Sequence, residues 1–157
     1  MHPYRTHNCG ELRLEDSGTT ARLSGWVHRK RDHGNLLFLD LRDHFGITQC
    51  VIEIDSEIFS QIETVRLETV ICVTGKIEKR DEETQNLELP TGGIELRIDS
   101  YTILGDSSSL PLEVNSDRDY GEDIRLKYRF LDLRRERVHQ NIVLRNSVIS
   151  SIRARMI

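Results

Sequence analysis

A phenylalanine and a cluster of basic side chains are the residues of this sequence whose types and spacing invite chemistry. In the stretch 25–42, GWVHRKRDHGNLLFLDLR, Leu37, Leu39 and Leu41 alternate with Phe38, Asp40 and Arg42. Alternate side chains of a strand point to opposite faces. With the leucines turned to a core, Phe38 shares the open face with an acid and a base. An aromatic ring among charged groups on an open sheet is a platform on which a nucleobase stacks. Just upstream, His28, Arg29, Lys30 and Arg31 gather positive charge. The chemistry is that of gripping a single-stranded nucleic acid rather than making or breaking bonds. No Ser/His/Asp triad, paired-carboxylate site or metal-spaced histidine cluster stands out, and none of the six histidines is assigned to a metal.

The elements that must hold these residues follow from periodicity. Ala21, Leu23, Gly25 and Val27 alternate with Arg22, Ser24, Trp26 and His28, predicting a strand over 21–31 in which Gly25 marks a bend or bulge. Trp26 is read as structural. Asp32-His33-Gly34-Asn35 is a turn, and strand two follows to Arg42. A third strand, 47–54, places Cys50, Ile52 and Ile54 on one face and Gln49 on the other. Asp55 or Ser56 is expected to cap a helix carrying Ile58 and Ile62. Strand four covers 69–79 and is rich in β-branched residues. The polar stretch 80–93 reads as a long loop, and strand five, 94–104, alternates Ile94, Leu96 and Ile98 with Glu95, Arg97 and Asp99.

Three strands, a helix and two strands is the order of the oligonucleotide-binding (OB) barrel, whose second and third strands and first and last long loops form the usual ligand face. Phe38 and Gln49 fall on those strands. Arg31 and His33 fall on or beside the first loop, and Arg80 opens the last. The expected class is therefore all-β: a five-stranded OB-fold barrel with a helix between strands three and four, followed by a linker and a C-terminal helix. Residues 105–123 are rich in Ser, Asp and Gly. Val138, Ile142, Ile149, Ile152 and Met156 then form a stripe at helical spacing. This helix runs to Ile157 uncapped, and its uncovered stripe predicts that the native protein continues.

Composition bounds the answer without choosing it. The chain has 157 residues, 37% hydrophobic and 31% charged, and a net charge of −4. That acidity argues against coating nucleic acid through bulk charge, but allows a local basic patch. No apolar run approaches the roughly 20 residues that span a membrane, and no signal-peptide segment opens the chain. A cytoplasmic protein without membrane contact is expected. Cys9, Cys50 and Cys72 lack metal or disulfide spacing, and Cys50 and Cys72 are expected to be buried free thiols.

The strings GWVHRKRDHGNLLFLDLRD, GITQCV, VTGKIEKRDE, TGGIEL and LKYRFLDLRR resemble the amino-terminal part of the bacterial-type aspartyl-tRNA synthetases, class II enzymes, over essentially the whole chain. The resemblance implies an anticodon-binding barrel over 1–104, a hinge over 105–135, and over 136–157 the opening helix of a truncated catalytic domain that builds a homodimer interface. It implies that Phe38 stacks on the middle anticodon base, a uridine, that Arg31 and Gln49 hydrogen-bond around it, and that Glu95 and Arg80 read its neighbours; Arg29, from the basic run, is the remaining candidate and adds positive charge. A glutamate suits this role because it can accept from a base amino group. A histidine at the position of His33 is associated in this family with enzymes that charge both aspartate and asparagine tRNAs. The intact enzyme would use ATP and magnesium on motifs that have no room before Ile157. No catalytic residue, metal or cofactor is therefore expected in this chain, and its partner would be tRNA. A general single-strand-binding barrel and a protein-interaction barrel are the competing readings.

Overall fold

The computed structural model describes residues 2–156. Ile157, where the last helix was expected to stop, lies outside the described residues. The order is β1 (Thr20–Asp32), β2 (Leu36–Arg42), β3 (Ile47–Glu53), α1 (Phe59–Thr64), β4 (Val70–Lys79), β5 (Ile94–Gly105), α2 (Glu122–Lys127), α3 (Arg129–Asp132) and α4 (Glu136–Met156). The chain divides into two compact units, Met1–Ser108 and Ser109–Ile157.

The first unit is a closed barrel in the order β1-β2-β3-β5-β4. Only β3 and β5 run parallel, through Cys50 opposite Leu96 and Val51 opposite Arg97. β1 serves two neighbours: its first half pairs with β4, from Thr20 opposite Lys76 to Trp26 opposite Val70. Its second half pairs with β2, ending at Asp32 opposite Leu37. Gly25 stands where β1 passes from one neighbour to the other, and a Cβ there would collide with the Arg42 carbonyl. Gly25 therefore permits a close approach of backbones. The bulge expected at Gly25 lies instead at His28, where the β1–β2 register shifts between Val27 and Arg29.

The period-two pattern fills the interior as expected from sequence. Ala21, Leu23, Val27, Leu37, Leu39, Leu41, Cys50, Ile52, Ile71, Val73, Ile77, Ile94 and Leu96 form one apolar cluster, joined by Cys9 and Leu12 and by Phe59 and Ile62 of α1. Three expectations need correction. Ile54 is 49% exposed because β3 ends at Glu53 and the chain turns away before the period brings it inward. Neither Asp55 nor Ser56 caps α1; the N-cap position is Ile58, without a side-chain bond. Cys72 is only half-buried, since its neighbours Ile71 and Val73 take the inward positions, and its thiol rests 3.4 Å from the Tyr4 carbonyl oxygen. Among the described residues, no helix is long and apolar enough to cross a membrane.

The second unit opens with the stretch read as linker, which carries α2, α3 and a small core of its own. Leu112, Val114 and Leu131 pack there with Leu110, Tyr120 and Tyr128. Asp132, 1% exposed, takes Arg125 at 3.2 Å and Arg135 at 3.5 Å. No described residue of α4 is buried within the chain.

Candidate nucleic-acid interface

The bulge at His28 decides which face the basic residues occupy. Strict alternation from Ala21 through Val27 would carry Arg29 and Arg31 into the core. The extra residue resets the phase, so that Arg29 lies opposite Asp40 and Arg31 opposite Phe38. Directly opposed residues of an antiparallel pair share a face. Lys30 takes the other side and donates to the Glu63 carbonyl at 2.7 Å, at the end of α1. On β3, Gln49 lies opposite Asp40. The outer surface of β1, β2 and β3 thus carries Arg29, Arg31, Phe38, Asp40 and Gln49 together.

Their polar groups are linked across four strands. Arg31 Nη2 donates to Asp40 Oδ1 at 2.8 Å and to Gln49 Oε1 at 3.2 Å. Gln49 Nε2 in turn donates to Glu95 Oε2 on β5 at 3.2 Å. The Arg31 side chain is 43% exposed, and ion pairs in water contribute at most about 1 kcal/mol. The network's value therefore lies in orientation rather than stability: Gln49 is held at one angle while Arg31 remains reachable. Burial pushes the Asp40 carboxyl above its ordinary range, opposed by Arg31 and Arg29 beside it.

Phe38 is half-buried at this surface, with its leucine neighbours inside. His33, from the turn, meets the Phe38 ring edge-on at 5.2 Å between centroids and 88° between planes. That turn is set by Gly34, at φ 77°, whose N–H donates to Asp32 Oδ1 at 2.8 Å. An open groove of about 260 Å³ adjoins the network, lined by His28, Arg29, Arg31, Asp40, Gln49 and Arg80 and by the loop residues Asn86, Glu88, Leu89 and Thr91. Arg29, Arg31 and Arg80 there face Asp40 and Glu88, so local charge is nearly balanced.

All seven residues singled out from sequence lie on this surface or its rim. Phe38 and His33 form the aromatic pair, Arg31, Gln49 and Glu95 the polar network, and Arg29 and Arg80 the groove wall. Sequence reasoning missed Asp40 as the residue that holds Arg31. Its signal was its place two residues after Phe38 on the same face. It also missed the loop wall. There Gly92 is required because a Cβ would strike the Asn86 carbonyl, and Asn86 N donates back to Gly92 O at 3.1 Å.

Arg42, expected beside Phe38, is turned to a structural task. It is 9% exposed and makes two bonds to Glu68, at 2.8 and 3.0 Å. Its guanidinium carbon lies 5.6 Å from the centre of the Trp26 ring. It also donates to His28 Nδ1 at 2.6 Å, which requires a neutral imidazole. Burial first, then the charges of Arg42 and Arg29, lower the His28 pKa from 6.5 to about 4. The unfolded chain therefore binds an extra proton between those values, and stability must drop as pH falls from 6.5 towards 4. Denaturant unfolding across that window should show the drop, and His28→Gln should flatten it. An unchanged slope in the variant would refute the assignment.

Among the described residues no cluster of three or more His, Cys, Asp or Glu is arranged to hold a metal ion. The family model described as an OB-fold nucleic acid binding domain matches residues 21–104. The chain is 58% identical over 157 residues to the aspartate–tRNA(Asp/Asn) ligase of Paramagnetospirillum magneticum, covering 100% of this chain and 18% of that protein. It is 56% identical over 157 residues to the ligase of the same name from Zymomonas mobilis, covering 100% of this chain and 26% of that protein. The chain thus spans about a quarter or less of the length of these relatives. In fold it is similar to the crystal structure of asparaginyl-tRNA synthetase from Pyrococcus horikoshii. There the TM-score is 0.79 over 94% of this chain and 34% of that one, at 24% identity.

Proposed function

The chain belongs to the OB-fold nucleic acid binding domain family, and from that premise we propose that it is the anticodon-recognition module of an aspartate–tRNA ligase. The observation that carries the proposal is one outward-facing, half-buried ring, Phe38, with a hydrogen-bonded Arg31–Gln49–Glu95 network on the same face. Stacking on Phe38 holds a splayed-out base, and the network reads its edge. A uracil presents two carbonyl acceptors flanking an N–H donor. Gln49 offers an amide N–H₂ and a carbonyl, and Arg31 offers further donors, so the two sides are complementary. Glu95 and Arg80 are assigned to the neighbouring bases, and Arg29 to a phosphate. His33, on the turn against Phe38, is assigned to the outer base where aspartate and asparagine anticodons differ. The names of the similar ligases include both tRNAs, which supports acceptance of both here.

In this reading the longer enzyme works as a cytoplasmic homodimer and consumes ATP with magnesium to join aspartate to tRNA. None of the residues described above is assigned to either reagent, and the barrel's task is to select the tRNA. The test is a titration of this chain with aspartate anticodon stem-loops in which the middle uridine is replaced in turn. A wrong base is expected to cost about 1–3 kcal/mol, and affinity should fall with added salt. Equal affinity for all four bases would replace the proposal with a general single-strand binder. Absence of salt-dependent RNA affinity would replace it with a protein-binding barrel. Stem-loops that differ only at the outer anticodon base should bind within a few-fold of one another if both tRNAs are accepted.

A further inference from the structure

Phe45 lies outside the groove, on the turn between β2 and β3, and is 58% exposed. It is displayed by a rigid support. Asp43 Oδ1 accepts the N–H groups of Phe45 at 2.7 Å and Gly46 at 3.0 Å, and Asp43 Oδ2 accepts that of Cys9 at 2.9 Å. The Arg5 guanidinium carbon stands 5.9 Å from the centre of the Phe45 ring. His44 meets the same ring edge-on, 5.1 Å between centroids. Arg5 is kept there because the N-terminal segment is pinned to β1. Thr6 N donates to Arg22 O at 2.8 Å, Arg22 Nη1 to Pro3 O at 2.9 Å, and Ser24 Oγ to Tyr4 O at 2.5 Å. The turn is continuous with the groove. Ile47, two residues on, lines it, and the Ile47 carbonyl accepts the Thr91 hydroxyl at 2.5 Å.

We propose that Phe45 and Arg5 form a second stacking platform, which takes one further nucleotide of the same RNA outside the groove that reads base edges. The inference rests on the RNA-binding reading above. A displayed ring beside a guanidinium suits a base and its phosphate. A docked protein would call for a wider apolar patch, whereas the other residues of this turn are Asp43, His44 and Gly46. The only carboxylate on the turn is already engaged by three backbone N–H groups. No side-chain amide lies on the turn, so the platform should be indifferent to base identity.

The test titrates the whole chain, as wild type, Phe45→Ala, Phe45→Trp, Arg5→Ala and Phe38→Ala, with an aspartate anticodon stem-loop. Phe45→Ala is expected to weaken binding about 5- to 100-fold, the effect of losing one stacked base, by the same factor for every anticodon tested. Phe45→Trp should bind like wild type. Arg5→Ala should reduce the salt dependence by about one phosphate contact. One abasic loop position should cost the wild type that same factor and cost Phe45→Ala nothing more. If Phe45→Ala binds as wild type while Phe38→Ala is weakened, the platform is overturned and the groove reading stands. If wild-type chain does not bind the stem-loop, the groove reading falls and the platform with it.

Discussion

Glu68→Ala is expected to lower the unfolding free energy by about 3–5 kcal/mol, the range for removing one partner of a buried ion pair. The Glu68 and Arg42 side chains are 4% and 11% exposed, so water cannot replace the lost carboxylate. A guanidinium would be left against Trp26 and His28 without its anion. A second effect runs through the backbone. Glu68 has φ 63°, a left-handed conformation that favours glycine, and its N–H donates to Val27 O at 2.8 Å. Glu68→Gly should therefore be less damaging than Glu68→Ala by about 1 kcal/mol, although it too loses the carboxylate. Arg42→Met combined with Glu68→Ala should recover much of the loss, because no charge is then stranded. Denaturant unfolding of the four proteins checks this. A Glu68→Ala midpoint equal to wild type would show that the pair carries no stability.

Phe38→Ala is expected to weaken binding of an aspartate anticodon stem-loop by about 1–3 kcal/mol while leaving the fold nearly as stable. The two halves of the prediction share one cause: the ring is on the outer face and outside the interior cluster. Leu39, one residue on and 0% exposed, is the internal control. Truncating it opens a cavity and should cost about 2–5 kcal/mol of stability. Phe38→Tyr or Phe38→Trp should retain most of the affinity, because either ring offers a stacking face. Stem-loop titrations paired with thermal melts separate the two quantities. A folded Phe38→Ala variant with unchanged affinity would remove the platform from the mechanism. His33 loses its aromatic neighbour in that variant, so discrimination at the outer anticodon base should loosen as well.

Most of this surface was legible in the sequence, for a definite reason. Leu37, Leu39 and Leu41 fix the inward face of β2, and a two-residue period then leaves Phe38 no other direction. The same rule fixes β5 through Ile94, Leu96 and Ile98, and so turns Glu95 outward. Features set by pairing between distant strands were not legible. The bulge at His28 depends on how β1 meets β2 after leaving β4, and nothing in the string His28-Arg29-Lys30 marks it. Gly25, the visible candidate, answers to the Arg42 carbonyl instead. The Arg42–Glu68 pair joins residues that no local pattern connects, so Arg42 was read as part of the ligand face. Ile54 and the α1 cap failed for a nearer reason. β3 stops at Glu53, and the chain makes a turn with Ser56 N donating to Glu53 O at 3.0 Å, which carries both residues past their expected positions.

The ring of strands has a consequence for how recognition can change over time. With β1 bonded to β4 along its first half and to β2 along its second, much of the backbone hydrogen bonding is spent within the ring, and the outer face meets a ligand chiefly through side chains. At Arg29, Arg31 and Phe38 those side chains lie outside the interior cluster, which their inward neighbours fill. A new ligand preference can therefore be written at such positions with the scaffold beneath untouched.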